Sequence, residues 1–247
     1  MKIINYKKKK TNIYEITLSN SEKISLYDDV ILKYDLLLKK ELNDKLKMKI
    51  YEENSYLESY YKALKYLNIK LRTEKDIRKK LSEYNNKIID YTIDRLYKEG
   101  YINNNSYIKA YVNDQINFKL VGKNKIKKDL LQMGLDEEDI NEYLNSISSD
   151  VWLNKIDKYI SKKINSNHNL SGVNLKQKIY QDLIKKGFNN EDIKAIIDEY
   201  DFKDDNKIIE KEYQKIKNKL SKKFSGEELN YHIKLHLIKK GFKKDLE

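Results

Sequence analysis

The chain has 247 residues, with 51 Lys and Arg against 39 Asp and Glu, a net charge of +12, and neither cysteine nor proline. The absence of cysteine excludes disulfides, a thiol nucleophile and Cys-ligated zinc. No apolar run reaches membrane-spanning length and no signal-type apolar region follows Met1, so the expected compartment is the cytoplasm.

Hydrophobic residues make up 39% and charged residues 36% of the chain, which suits several small cores better than a single large one. The basic excess fits an anionic partner such as DNA, RNA or an acidic protein surface. It also fits the Lys-, Asn-, Ile- and Tyr-rich composition of an AT-rich genome, and both readings stay open. Part of the excess is clustered: residues 119–129 hold Lys119, Lys123, Lys125, Lys127 and Lys128 against Asp129 alone.

The first residues differ from the rest. Tyr14, Ile16 and Leu18 alternate with Glu15 and Thr17, the period of a half-buried strand. Ser19-Asn20-Ser21 is turn chemistry, and Ile24 and Leu26 resume the alternation, so a hairpin is predicted. Lys2–Tyr6 reads as a possible first strand, and the run Lys7–Lys10 as a solvated loop after it. Asp28 or Asp29 is placed as the cap of a helix carrying Val30, Ile31, Leu32, Tyr34, Leu37 and Leu38. A second short helix over Leu42 to Tyr51 completes an N-terminal piece, residues 1–53.

From there the pattern is helical and repetitive. Ile126–Ile140 (IKKDLLQMGLDEEDI) returns as Ile179–Ile193 (IYQDLIKKGFNNEDI) and again from Ile233 (IKLHLIKKGFKKDLE); a fainter copy starts at Ile77. Gly134, Gly187 and Gly241 mark the period, 187 − 134 = 53 and 241 − 187 = 54. This is the signature of a helical repeat array. Cap-type residues open each first helix: Asn54-Ser55, Asn105-Ser106, Asp150 and Asp204-Asp205. The returning stretch is the second helix. A third follows with an acidic first turn, as in DEEDINEYLNSI and NNEDIKAIIDEY.

Gly134, Gly187 and Gly241 are placed as left-handed terminators of the second helices, with Asn85 in that role in the first repeat. Gly122, Gly172 and Gly226 precede the second helices, and Gly100 closes the third helix of the first repeat. The expected fold is mainly α: tandem three-helix repeats in an elongated curved array behind a small hairpin and helix piece. The repeats are 54–103, 104–149, 150–203 and 204–247, the last lacking its third helix and serving as a cap.

Catalytic and metal constellations are weak. His232 and His236 are four apart on a helix, but Ile233 stands where a metalloprotease would carry its glutamate, and no third ligand is in evidence. The repeat alignment sets these histidines opposite Lys125, Lys178, Asp129 and Asp182, which are solvent-face positions. There is no GxxxxGK[ST] loop, GxGxxG motif or nucleophile elbow, and His168 sits in an Asn-rich loop. No catalytic site, metal or cofactor is expected. Trp152 and the tyrosines could stack on bases. Helical spacing puts Tyr60, Tyr61, Tyr107, Tyr111 and Tyr143 on apolar faces, where core packing accounts for them.

All three arginines, Arg72, Arg78 and Arg95, fall in the first repeat. Thr73 with Asp76 reads as a capping box, which leaves Arg72 just outside the helix. It is free there to meet a partner or to pair with a neighbouring carboxylate.

At these residues the sequence resembles the RecX family of recombinase regulators. The resemblance is carried by Ala63-Leu64, Tyr66-Leu67, Leu71-Arg72-Thr73-Glu74-Lys75-Asp76-Ile77 and Leu81, then Leu96-Tyr97-Lys98-Glu99-Gly100-Tyr101-Ile102 and Tyr107. Gly122, Ile126, Leu130 and Gly134 follow in register, and Lys185-Lys186-Gly187-Phe188 and Lys239-Lys240-Gly241-Phe242 fit as well. Asn104, Ile108 and Met133 depart from the family's habit.

The resemblance implies a non-enzymatic modulator, acting as a monomer, that binds RecA–DNA filaments in their groove. It would restrain filament growth and so lower ATP hydrolysis, strand exchange and co-protease activity. Exposed lysines could also meet DNA phosphates within the filament. Arg72, Lys75, Arg78, Lys79, Lys123 and Lys127 are expected to be part of the contact, from charge and position. The alternative is a general nucleic-acid-binding helical repeat protein.

Overall fold

A computed structural model describes residues 1–242 as two compact units, Met1–Tyr107 and the residues from Ile108 onward. The end of the fourth copy of the returning stretch, residues 243–247, lies outside the described residues.

The first unit opens on a three-stranded antiparallel sheet in the order β1-β2-β3: β1 Ile3–Lys10, β2 Ile13–Leu18 and β3 Lys23–Tyr27. The hairpin falls where the alternation places it, with Ile16 facing Ile24 and Tyr14 facing Leu26. The lysine run does not form a loop. Lys7, Lys8 and Lys10 face Glu15, Tyr14 and Ile13 across the β1–β2 ladder, and Lys9 lies 3.0 Å from Glu15. A paired backbone accommodates exposed lysines on one side of a strand, and charge on an edge strand discourages further pairing.

Helix α1 (Asp28–Lys33) is shorter than expected. No side chain caps it, and Asp35 turns the chain at φ 52°. Leu36 is then buried while Leu37 and Leu38 are exposed, the reverse of a helix continuing through them.

The largest departure is α2, Asp44–Leu67. The two helices expected over this stretch are one. Asn54 caps nothing; from mid-helix it accepts from the Tyr27 N–H (2.9 Å) and donates to the Ser25 carbonyl (3.3 Å), tying β3 down. The helix runs unbroken because it serves two cores. Ile50 and Leu57 close one core over Ile16, Leu18, Leu26 and Val30. Tyr60 and Ala63 close a second with Ile77 of α3 (Glu74–Lys80), Leu81 at its C-terminal end, and Ile89, Ile93 and Leu96 of α4 (Asn86–Lys98). The Thr73–Asp76 capping box forms as predicted. Asn85 is an N-cap of α4 at φ −70°, accepting from the Ile88 N–H, and not a left-handed terminator.

Helix α5 (Asn104–Phe118) starts in the first unit and continues into the second. Asn103, two residues before the expected Asn105-Ser106, accepts from the Ser106 N–H. There follow α6 (Lys123–Gln132), α7 (Glu137–Ser146), α8 (Ser149–Asn165, capped by Ser148 and not by Asp150), α9 (Gly172–Lys185), α10 (Asn190–Ile197), α11 (Asn206–Leu220, capped by Asp205) and α12 (Gly226–Lys239). The repeat pattern carries the cores: Ile77/Leu81, Ile126/Leu130, Ile179/Leu183 and Ile233/Leu237 are at most 1% exposed. At the end of α9, Gly187 sits at φ 84°, and the Phe188 N–H reaches back to the Leu183 carbonyl, which turns the Phe188 ring into the core. Gly134 and Gly241 end α6 and α12 in the same conformation.

Successive second helices of the second unit are joined end to start. At the front of α6 the N–H groups of Gly122 and Asn124 donate to the Lys186 and Gly187 carbonyls closing α9 (2.8 and 3.0 Å). At the front of α9, Ser171 Oγ and Asn174 Nδ2 donate to the Lys240 carbonyl closing α12 (2.9 and 2.7 Å). Helix starts have spare donors and helix ends spare acceptors, so the joint of α6 with α9 satisfies both, while at the joint of α9 with α12 side chains at the helix start supply the donors.

Candidate partner-binding surface

In the first unit three of the expected contact residues, Lys75, Arg78 and Lys79, are exposed on α3, the second helix of its repeat, and Arg72 lies just before it. Arg72 does not extend freely, and it forms no ion pair among the described residues. Its guanidinium lies over the Tyr66 ring, 3.9 Å from the centroid, and its Nε has no hydrogen-bond partner among the described residues. Arg78 is exposed but bonded to Glu74 and Asp90, both at 2.7 Å, which pushes its pKa up, Asp90 contributing most. Lys75 and Lys79 are exposed on the same helix, and Lys79 takes part in no ion pair among the described residues. The third arginine, Arg95, is 3.8 Å over the Tyr60 ring and 2.8 Å from Glu99, so it braces α4 against α2.

Tyr60, Tyr61 and Tyr143 follow one plan: the ring is at least partly buried and the hydroxyl meets a polar group. Tyr60 donates to Glu99, Tyr61 to Asp29 and Tyr143 to Asn113. Burial first, then Glu99, pushes the Tyr60 hydroxyl up to about 12. Trp152 is buried. The His232 ring stacks on Phe224 at 4.0 Å, and His236 Nδ1 lies 2.9 Å from the His232 carbonyl, so neither histidine is turned toward the other's ring.

In the second unit Lys123 and Lys127 lie on α6, again the second helix of a repeat. Both lean on α7: Lys123 Nζ donates to Asn145 (2.6 Å), and Lys127 lies 2.7 Å from Glu137, whose carboxyl it holds below the usual range. Lys125 is taken by Asp129 at 2.7 Å. Lys128 is exposed and outside every ion pair of the described residues, beside a shallow depression that Asn124, Leu131 and Gln132 also line. The partners that neighbouring elements bring therefore decide which of these cations reaches solvent uncompensated, and sequence charge alone does not.

Over 250 aligned residues, 98% of this chain and 95% of the relative, the sequence is 32% identical to the regulatory protein RecX of Streptococcus agalactiae serotype V. The chain belongs to the RecX family. The regulatory protein RecX of Staphylococcus haemolyticus is 27% identical over 94% of this chain and 92% of its own length. The family model for the second three-helix domain of RecX matches residues 103–144, which hold α5, α6 and most of α7. Among solved structures, a regulatory protein RecX covers 80% of this chain and all of its own at TM-score 0.69 and 27% identity. RecX from Lactobacillus salivarius covers 60% of this chain and 97% of its own at TM-score 0.56 and 29% identity.

The structure thus has the helical-repeat fold of RecX proteins with a small N-terminal sheet, and among its described residues no helix is long and apolar enough to cross a membrane. One basic feature of this RecX chain escaped the sequence reading: the lysines of α8. Ile160-Ser161-Lys162-Lys163-Ile164 stands out in the sequence because Leu220-Ser221-Lys222-Lys223-Phe224 repeats it. It reads there as a marker of the repeat, and nothing in the sequence shows that its ammonium groups go unpaired.

Proposed function

We propose that this protein is a non-enzymatic regulator that binds the RecA recombinase on DNA and restrains its filaments. The observation that carries this reading is the near-full-length likeness to proteins named as RecX regulators. The basic residues on and beside α3 and α6, Arg72, Lys75, Arg78, Lys79, Lys123 and Lys127, form part of the contact. Exposed lysines such as Lys79 and Lys128 have charge to offer an acidic protein surface or DNA phosphates. Several modest contacts, spread over the repeats and touching several recombinase subunits, gain strength together. The protein works as a monomer in the cytoplasm.

DNA-dependent ATP hydrolysis by the cognate RecA tests this. Hydrolysis falls as the protein is added, and the double variant Lys75→Ala/Lys79→Ala is needed at higher concentration for the same effect. An unchanged rate at amounts stoichiometric with RecA refutes the reading.

A further inference from the structure

The C-terminal end of α5 and the exposed side of α8 border a groove of ≈ 630 Å³, the size of small-ligand sites. Five lysines line it, Lys119, Lys155, Lys158, Lys162 and Lys163, and no carboxylate does. None of the five forms an ion pair among the described residues, whereas Lys125, Lys127 and Lys176 of the same unit are each within 2.8 Å of a carboxylate. The acids nearby are engaged otherwise. Asp157 of α8 accepts from the Tyr200 hydroxyl (2.6 Å), and Asp182 from Tyr159 (3.1 Å). Lys155 is half-buried; its Nζ donates to the Lys119 carbonyl (2.8 Å), and burial and then Lys158 push its pKa down. Crowded like charges without a counter-charge are a cost to the folded chain that a bound anion removes.

Two features narrow the class of anion. Lys155, Lys158 and Lys162 recur at i, i+3 and i+7, a row of about 10 Å along one face of α8, which suits a linear polyanion better than a single phosphate. At the rim stands Phe118, 81% exposed, while the other four phenylalanines are buried or half-buried. A bare ring beside a row of lysines is the arrangement that holds unpaired bases over a tracked backbone. A duplex keeps its base faces stacked inside, and a run of carboxylates presents no flat face to the ring.

We propose that this groove binds single-stranded nucleic acid, with the lysines of α8 meeting successive backbone phosphates and a base stacking on Phe118. Binding needs no recombinase, so it stands or falls apart from the regulator reading.

The test uses the full-length protein alone and a short fluorescein-labelled oligothymidylate, read by anisotropy across a salt series. Phe118→Ala weakens binding roughly 5- to 100-fold, the range that base–aromatic stacking produces. Lys158→Gln/Lys162→Gln lowers the slope of log K against log salt by about 1.4, two phosphates at roughly 0.7 each. Phe118→Trp places an exposed indole beside the groove, distinct from buried Trp152, and its emission is quenched on saturation. The double variant Lys45→Gln/Lys49→Gln removes the same charge from exposed positions on α2 and leaves both affinity and slope unchanged.

Equal losses in the groove and α2 variants overturn the proposal, because they reduce it to net charge. So does duplex of the same length binding as tightly as the single strand, polyglutamate competing as well as oligothymidylate at equal charge, or no binding at low salt. All substituted side chains are exposed, and circular dichroism of each variant confirms that it is folded.

Discussion

Gly122→Ala tests the end-to-start joint between successive second helices. Gly122 has φ −94° and ψ 169°, extended backbone that alanine adopts without strain. Removing a glycine's flexibility from the unfolded chain stabilises by about 0.4–1 kcal/mol, and alanine's poorer performance at a helix N-cap roughly offsets it. Without the joint, the expected change is near zero. With it, the new Cβ stands 2.3 Å from the Gly187 carbonyl carbon and oxygen and from the Phe188 nitrogen, all backbone atoms. Restoring ordinary contact at 3.4 Å opens the joint by 3.4 − 2.3 = 1.1 Å.

That displacement takes the Gly122 N–H···O Lys186 bond (2.8 Å) and the Asn124 N–H···O Gly187 bond (3.0 Å) out of hydrogen-bonding range. Two bonds at about 0.5–1.5 kcal/mol each give a cost of about 2–3 kcal/mol near the upper end of that range. Overpacking costs of about 1–3 kcal/mol are the alternative if the joint holds and the strain stays. The two are not additive, since one relieves the other.

Urea unfolding followed by the fluorescence of Trp152, the chain's single tryptophan and buried in the second unit, reads the effect locally. The midpoint falls by roughly 1 M for a slope near 2 kcal/mol/M. Gly100→Ala is the companion: at φ 76° with nothing within 4 Å of the new Cβ, it carries only the left-handed strain of about 1–2 kcal/mol, and in the other unit. A Gly122→Ala midpoint equal to or above that of the parent refutes the joint.

Two further outcomes follow from the first unit. Asn54→Ala removes both bonds to β3, about 1–3 kcal/mol, and returns about 0.5–0.7 kcal/mol of helix propensity, so the net loss is about 0.3–2.5 kcal/mol. Hydrogen exchange at the Tyr27 amide accelerates in step, and an unaltered exchange rate counts against Asn54 as the anchor. The Glu22 carboxyl is drawn down to about 2 by hydrogen bonds from Lys47, Tyr51 and Asn20. A depressed folded pKa contributes stability above the unfolded value of about 4.3, and the contribution is lost as pH falls through about 2. Glu22→Gln is therefore less stable than the parent at neutral pH, and the gap closes on acidification through that window. A gap that stays constant with pH removes the ion pair as its cause.

The repeat frame was legible because its causes are local. The Ile/Leu pair four apart, the glycine one turn after it and the apolar residue that follows act within a few residues of one another, and the cores at Ile126/Leu130, Ile179/Leu183 and Ile233/Leu237 form where the pattern sets them. The Thr73–Asp76 box is local in the same sense. Caps were less legible: Ser148 and Asn103 serve where Asp150 and Asn105-Ser106 were expected, because neighbouring residues have equal capping chemistry and packing chooses among them.

By itself, then, the sequence determined the returning second helices with their Ile/Leu cores, the hairpin and the family. Each rests on short-range periodicity or on the order of motifs along the chain. Only the tertiary structure decided that α2 runs unbroken through Asn54, since two cores on one helix favour continuity over the cap that Asn54 could make. It likewise placed the Lys7–Lys10 run in a strand, where β2 supplies the backbone partners. Above all it decided which cations are spent. Arg78 and Lys127 are neutralised by carboxylates that other elements bring to them, and Lys158 and Lys162 are not. Charge compensation depends on where distant segments arrive in space, and no count along the chain contains that.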